Sequence, residues 1–158
     1  MGVEIERKFL VVSEEWRGQG ECLRFEQGYL SRSPERSVRV RIEGDRAKLN
    51  IKSGKSLLRR LEFEYDLPLE DARHLLREVC EKPLLQKERT VLEYAGKVWE
   101  VDEFFGENQG LIVAEVELQD ENERVDLPPW IGEEVSHDPR YLNISLIDRP
   151  FQNWTDRD

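Results

Sequence analysis

The chain has 158 residues, of which 38% are hydrophobic and 37% charged, with a formal net charge of −10. That length supports one domain over 1–158, and apolar residues alternating along most of it exclude a disordered chain. The acidic balance argues against nucleic-acid or anionic-membrane partners, although a local basic cluster or a bound metal can still hold an anionic substrate.

Glu4-Ile5-Glu6-Arg7-Lys8 opens the first predicted strand, 3–12, and puts Glu4, Glu6 and Lys8 in one row with Val3, Ile5 and Phe9 behind. A short helix is expected around 13–17. Strand two, 22–32, carries Leu23, Phe25, Gln27, Tyr29 and Ser31 on one face. Ser33-Pro34-Glu35 is a turn signal. Strand three, 37–43, sets Arg39 and Arg41 against Val38, Val40 and Ile42. After the hairpin signal Glu43-Gly44-Asp45, strand four, 46–53, sets Lys48, Asn50 and Lys52 against Ala47, Leu49 and Ile51.

Strand five, 57–66, sets Arg60, Glu62 and Glu64 against Leu61, Phe63 and Tyr65. The spacing of Leu69, Ala72, Leu75, Leu76 and Val79 predicts a helix over 69–80. Strand six, 84–94, bears Lys87 and Arg89; strand seven, 97–104, bears Glu100 and Asp102; strand eight bears Glu115 and Glu117. The tail from 126 is rich in turns, with a second helix expected around 139–148. Eight strands in hairpin order with one intervening helix predict a mainly β (α+β) fold, an eight-stranded antiparallel barrel or strongly curved sheet with a few flanking helices.

Like charges at i, i+2 recur six times: Glu4/Glu6, Arg39/Arg41, Glu62/Glu64, Lys87/Arg89, Glu100/Asp102 and Glu115/Glu117. An open sheet with a solvated outer face would accommodate any one of them. If the sheet closes, together they line an interior too charged to pack as a core, and buried charges must be paired or must bind something. Carboxylate clusters without His or Cys favour hard divalent cations, Mg²⁺ or Mn²⁺. Lys and Arg clusters favour phosphate oxygens. Both in one cavity imply a metal-chelated polyphosphate and metal-assisted phosphoryl transfer.

Glu4-x-Glu6-x-Lys8, Arg39-x-Arg41, Lys52, Glu62-x-Glu64, Lys87-x-Arg89, Asp102 and Glu115-x-Glu117 resemble, over nearly the whole chain, the motif series of the CYTH or triphosphate tunnel metalloenzyme superfamily. The resemblance implies an eight-stranded antiparallel tunnel acting on tripolyphosphate, thiamine triphosphate or RNA 5′-triphosphates, or cyclising ATP. It implies that Glu4, Glu6 and Glu115 hold one divalent ion, and that Glu62, Glu64 and Glu117 serve a second ion or its water shell. Asp102 is counted with these metal-site acids and would orient its basic neighbours. Lys8, Arg39, Arg41, Lys52, Lys87 and Arg89 would bind the triphosphate. Lys8, Tyr29, Lys52 and Glu117 form the implied catalytic set. Ser136-His137-Asp138-Pro139-Arg140-Tyr141-x-Asn143 resembles the closing segment of small bacterial members.

A compact chain that starts almost directly with the motif most resembles the inorganic triphosphatases. Class IV adenylyl cyclases, thiamine triphosphatases and a non-catalytic polyphosphate-binding module are the alternatives. The expected setting is the cytoplasm, as monomer or homodimer, with Cys22 and Cys80 reduced because they make no ligand spacing. No secretory or transmembrane run is read at the N-terminus. Lys52-Ser53-Gly54-Lys55-Ser56 is no phosphate-binding loop, because Leu49 stands where that motif needs a glycine. His74 and His137 read as exposed and loop residues.

Overall fold

The computed structural model describes residues 2–33, 35–54 and 58–154. Its strands are β1 (Gly2–Val11), β2 (Glu21–Ser33), β3 (Arg36–Glu43), β4 (Arg46–Ser53), β5 (Arg59–Leu67), β6 (Leu85–Tyr94), β7 (Lys97–Phe104), β8 (Ile112–Glu117) and β9 (Ile131–Glu134). They run β5-β4-β3-β2-β6-β7-β8-β1-β9, and β5 also pairs with β1, which closes β1–β8 into an antiparallel barrel. One edge of β1 is shared. Gly2–Ile5 pairs with β5, whereas Phe9 and Val11 pair with β9. The short β9 was not legible in a tail dense with turn residues.

Closure inverts the usual arrangement of a small barrel. The charged rows turn inward and the apolar rows turn outward, where other parts of the chain cover them. Phe9, Trp99, Val101, Ala114 and Val116 lie beneath Trp16 and Trp130. Val40 and Ala47 lie beneath α1 (Leu69–His74) and the π-helical turn that continues it, Leu75–Val79. The expected single helix over 69–80 therefore changes pitch at Leu75, where Cys80 N–H reaches back five residues to the Leu75 carbonyl at 2.8 Å. This end of the helix presses on Gly28, where an added Cβ would stand 2.7 Å from Leu84 Cδ2 and 3.0 Å from Cys80 Cβ.

The helix expected at 13–17 is instead a series of turns. Burial of Trp16, whose Nε1–H donates to the Ser13 carbonyl at 2.9 Å, fixes that segment without helical hydrogen bonding. Strand five begins at Arg59 rather than 57, which lies outside the described residues. Its outer row is partly exposed, with Leu61 at 39% and Tyr65 at 55%, and only Leu67 at its end packs on the cluster that α1 covers. The β6–β7 turn has positive φ at both Ala95 (50°) and Gly96 (79°), the geometry of a two-residue hairpin loop.

The second expected helix splits into a 3₁₀ turn, Pro139–Tyr141, and α2 (Asn143–Asp148), with extended Leu142 between them. Ile144, Leu146 and Ile147 pack with Tyr29, Leu85, Phe104 and Val113. That contact closes one end of the barrel.

Candidate functional site

The barrel encloses a cavity of about 510 Å³. Seven carboxylates line it: Glu4, Glu6, Glu62, Glu64, Glu100, Glu115 and Glu117. Six cations face them, namely Lys8, Arg39, Arg41, Lys52, Arg60 and Arg89. Tyr29, Ser37 and Asn50 also reach the lumen, and Leu142, Asn143 and Ile144 contribute to its lining from the α2 end. Register explains the segregation. Glu6 pairs with Glu117 and Lys8 with Glu115 across β1–β8, and Glu100 pairs with Glu115 across β7–β8. Arg39 and Arg41 stand opposite Tyr29 and Gln27 on β2 and opposite Asn50 and Lys48 on β4. The acids thus collect on β1, β5, β7 and β8, and most of the bases on β3, β4 and β6.

The acid floor carries strong internal repulsion. Glu4 and Glu62 share a hydrogen bond, as do Glu6 and Glu115. Two carboxylates in such contact need a proton or a cation between them. Burial and the neighbouring Glu115 push Glu6 well above the usual carboxylate range. The contact with Glu4, then burial, raises Glu62 to about 7. The other member of each pair stays ionised. Burial opposes this, but Lys52, whose Nζ is 2.9 Å away, draws Glu4 to about 2. Lys8, 3.5 Å away, likewise holds Glu115 well below the ordinary range. Asn50 Nδ2 donates to Glu62 at 3.2 Å and to Glu64 at 3.3 Å.

The basic wall rests on a buried support. Arg41, Lys87 and Arg89 each place their charge within 5.6 Å of the Phe25 ring centre. Lys87 and Asp102 share the inward rows of Arg89 and Glu100 but do not line the cavity; both are fully buried, joined at 2.6 Å. Arg89 does reach it, held by two hydrogen bonds to Asp102 at 2.7 and 2.9 Å and one to Glu100 at 3.1 Å. Burial opposes ionisation of Asp102, yet Arg89 and Lys87 bring it down to about 2. Burial and the nearby arginines press Lys87 down to about 7. Arg41 falls to about 10 through burial and the closeness of Arg39. The Nε atoms of Arg39 and Arg41 are buried without a partner among the described residues. Cations crowded in this way are stabilised by an anion.

The structure therefore gathers Glu4, Glu6, Lys8, Tyr29, Arg39, Arg41, Lys52, Glu62, Glu64, Arg89, Glu115 and Glu117 around one cavity. Lys87 and Asp102 are buried on the same inward rows without lining the cavity. Arg60 and Glu100 were visible as members of charged rows but not as parts of the site. Asn50 carries no charge to mark it, and Phe25 reads in the sequence as an ordinary apolar strand residue. Among the described residues no three His, Cys, Asp or Glu side chains already stand as a metal cage. Lys52 and Arg60 sit against the acids such a cage would use. The donor set nevertheless fits a hard divalent ion, since every acid on the floor offers oxygen and two pairs are close enough to share a proton.

The CYTH domain model matches residues 2–151. The chain belongs to the CYTH family. Among its CYTH relatives, the inorganic triphosphatase of Acetivibrio thermocellus is 44% identical over 98% of this chain and 99% of its own length. The inorganic triphosphatase of Nitrosomonas europaea is 33% identical over 90% of this chain and 95% of its own. The crystal structure of an inorganic triphosphatase superposes with a TM-score of 0.68 at 31% identity, covering 93% of this chain and 95% of that one. A Pyrococcus horikoshii protein shares the fold at TM-score 0.58 and 18% identity over 75% of this chain and 80% of that one.

Proposed function

We propose that this CYTH protein hydrolyses inorganic tripolyphosphate to pyrophosphate and phosphate with Mg²⁺ or Mn²⁺. One observation carries the reading: an acid floor and a basic wall face each other across a single lumen. Binding phosphate alone would need the wall without the floor. The near full-length likeness to proteins named inorganic triphosphatases supports the choice of substrate.

By the family resemblance Glu4, Glu6 and Glu115 would hold one divalent ion, and Glu62, Glu64 and Glu117 a second ion or its water shell; an all-oxygen donor set on the floor supports this reading. A bound divalent ion neutralises phosphate charge and lowers the pKa of water. Arg39, Arg41, Lys52 and Arg89 hold the phosphate oxygens and stabilise charge that develops on them. Lys8 stands on β1 among the floor acids, at the α2 end of the lumen. Its Nζ donates to the Tyr141 carbonyl at 2.9 Å while lying 3.5 Å from Glu115, which anchors its ammonium at the lumen, where it would meet a phosphate. Tyr29 lines the same end. Glu117, the exposed acid of β8, would accept a proton from the attacking water. Asp102 acts as a positioning residue, aiming Arg89 through two hydrogen bonds, and Lys87 holds Asp102 in place.

The substrate is a small molecule, with no nucleic-acid or membrane partner, and the protein acts as monomer or homodimer. A cytoplasmic setting agrees with two unpaired cysteines. Among the described residues no helix is long and apolar enough to cross a membrane. Phosphate release from tripolyphosphate, ATP and thiamine triphosphate, each with Mg²⁺, Mn²⁺ or chelator, tests the reading. Metal-dependent turnover fastest on tripolyphosphate is expected. Cyclic AMP formation, or no turnover of any triphosphate, would overturn it.

A further inference from the structure

Arg60 is neither in the Arg39–Arg41 row nor beside Lys87 and Arg89, yet it faces the middle of the acid floor. It is the direct cross-strand partner of Glu4. Its Nη2 stands 3.8 Å from Glu4 Oε1 and 3.8 Å from Glu6 Oε1, with the side chain 14% exposed. The other cations near these acids have closer anchors. Lys52 lies 2.9 Å from Glu4, and Lys8 is tied to a main-chain carbonyl. Arg60 spans the gap between two acids that the proposed function assigns to one metal ion, and it touches neither closely.

We infer that Arg60 is a resident counter-cation, which a divalent ion must displace from Glu4 and Glu6 to enter the floor. A guanidinium suits the role because it is always charged and weakly hydrated. It offsets the repulsion between the two carboxylates in the metal-free protein, but at 3.8 Å a single charge holds them more loosely than a divalent ion in direct contact would. The Arg60 stem runs against Gly54, where an added Cβ would come within 2.9 Å of its Cγ. A side cavity of about 10 Å³ that Arg60 borders with Glu6, Lys8, Ser136 and Asp138 has room for no more than a water molecule. The displaced head moves instead along the lumen it already lines, where a triphosphate would receive it. Metal and triphosphate then favour each other's binding, because the substrate gives the displaced cation a new partner.

This inference rests on the proposed function for the placement of a divalent ion on Glu4 and Glu6. The experiment is Mn²⁺ binding without any phosphate, followed by electron paramagnetic resonance of the free ion, alongside melting of the metal-free protein. Arg60→Met keeps the stem and removes the charge, and Arg60→Lys keeps the charge. Arg60→Met is expected to bind Mn²⁺ roughly tenfold more tightly than wild type and to melt lower without metal. Arg60→Lys should stay near wild type in both. Arg60→Gln serves as a second neutral variant should Arg60→Met lose its circular-dichroism signature of the fold. Neutral variants that bind Mn²⁺ no more tightly than wild type would overturn the inference while leaving the metal site standing. Absence of Mn²⁺ binding in wild type and variants alike would instead remove the metal site itself, and the inference with it.

Discussion

Glu62 shows what a crowded acid floor does to a single group. Its carboxyl rises from the ordinary 4.5 to about 7 because it shares a hydrogen bond with Glu4 and is partly buried. Between those two values the folded chain holds a proton that the unfolded chain has already released. Stability from this group is therefore full below about 4.5 and is lost as pH rises through about 7. Glu6, pushed in the same direction, adds to the effect. Glu4 and Glu115, displaced downward, act only in more acidic solution. The melting midpoint in chelator should accordingly fall from pH 5 to pH 7.5, with a shallower fall in Glu62→Gln. A midpoint that rises over this interval, or a slope that Glu62→Gln leaves untouched, would contradict the shared-proton account. Divalent metal should flatten the wild-type profile, because the metal takes the place of those protons.

Individual strands present two unlike faces, and their separation makes function and stability separately testable. Leu76 is buried on the outer side, in the cluster with Val40, Ala47 and Ala72. Leu76→Ala should cost about 2–4 kcal/mol, which lowers the melting midpoint by roughly 5–15 °C for a chain of this size. Phosphate release at 25 °C should stay within about twofold, since no tunnel side chain leans on Leu76. Lost turnover without a lowered midpoint would show that the outer core shapes the lumen.

The same two faces explain what the sequence made legible. Period-two alternation with charges at i, i+2 is local, so β1–β8 and twelve of the fourteen expected site residues could be read onto one lumen, with Lys87 and Asp102 buried on the same rows but not lining it. Nothing local distinguishes Asp102 from Glu100. Both stand on the inward face of β7, and only the pairing of Asp102 with Arg89 and its contact with Lys87 bury it while Glu100 keeps access to the lumen. The turns around Trp16, the pitch change at Leu75 and the addition of β9 depend on packing against residues far away in sequence. No window of the chain contains those contacts.

At the scale of the molecule, a barrel with polar walls must be stabilised from outside and neutralised from inside. Trp16, Trp99 and Trp130 on one flank and α1 on another supply apolar burial. Inside, Lys52, Lys8 and Arg60 counter acids that a metal would otherwise occupy, and α2 closes one end. Ligands that bind only this closed state add stability. At 100 times the dissociation constant the gain is about 2.7 kcal/mol, or a midpoint rise on the order of 5–10 °C. The claim on which the rest depends is that the floor takes the metal and the wall takes the phosphate. Crystals of the protein with Mn²⁺ and a non-hydrolysable tripolyphosphate analogue, examined by anomalous diffraction, test it most directly. Mn²⁺ is expected in contact with carboxylate oxygens of Glu4, Glu6 and Glu115, with the phosphates lying against Arg39, Arg41, Lys52 and Arg89. Anomalous signal away from that floor, or phosphates bound outside the lumen, would contradict the account.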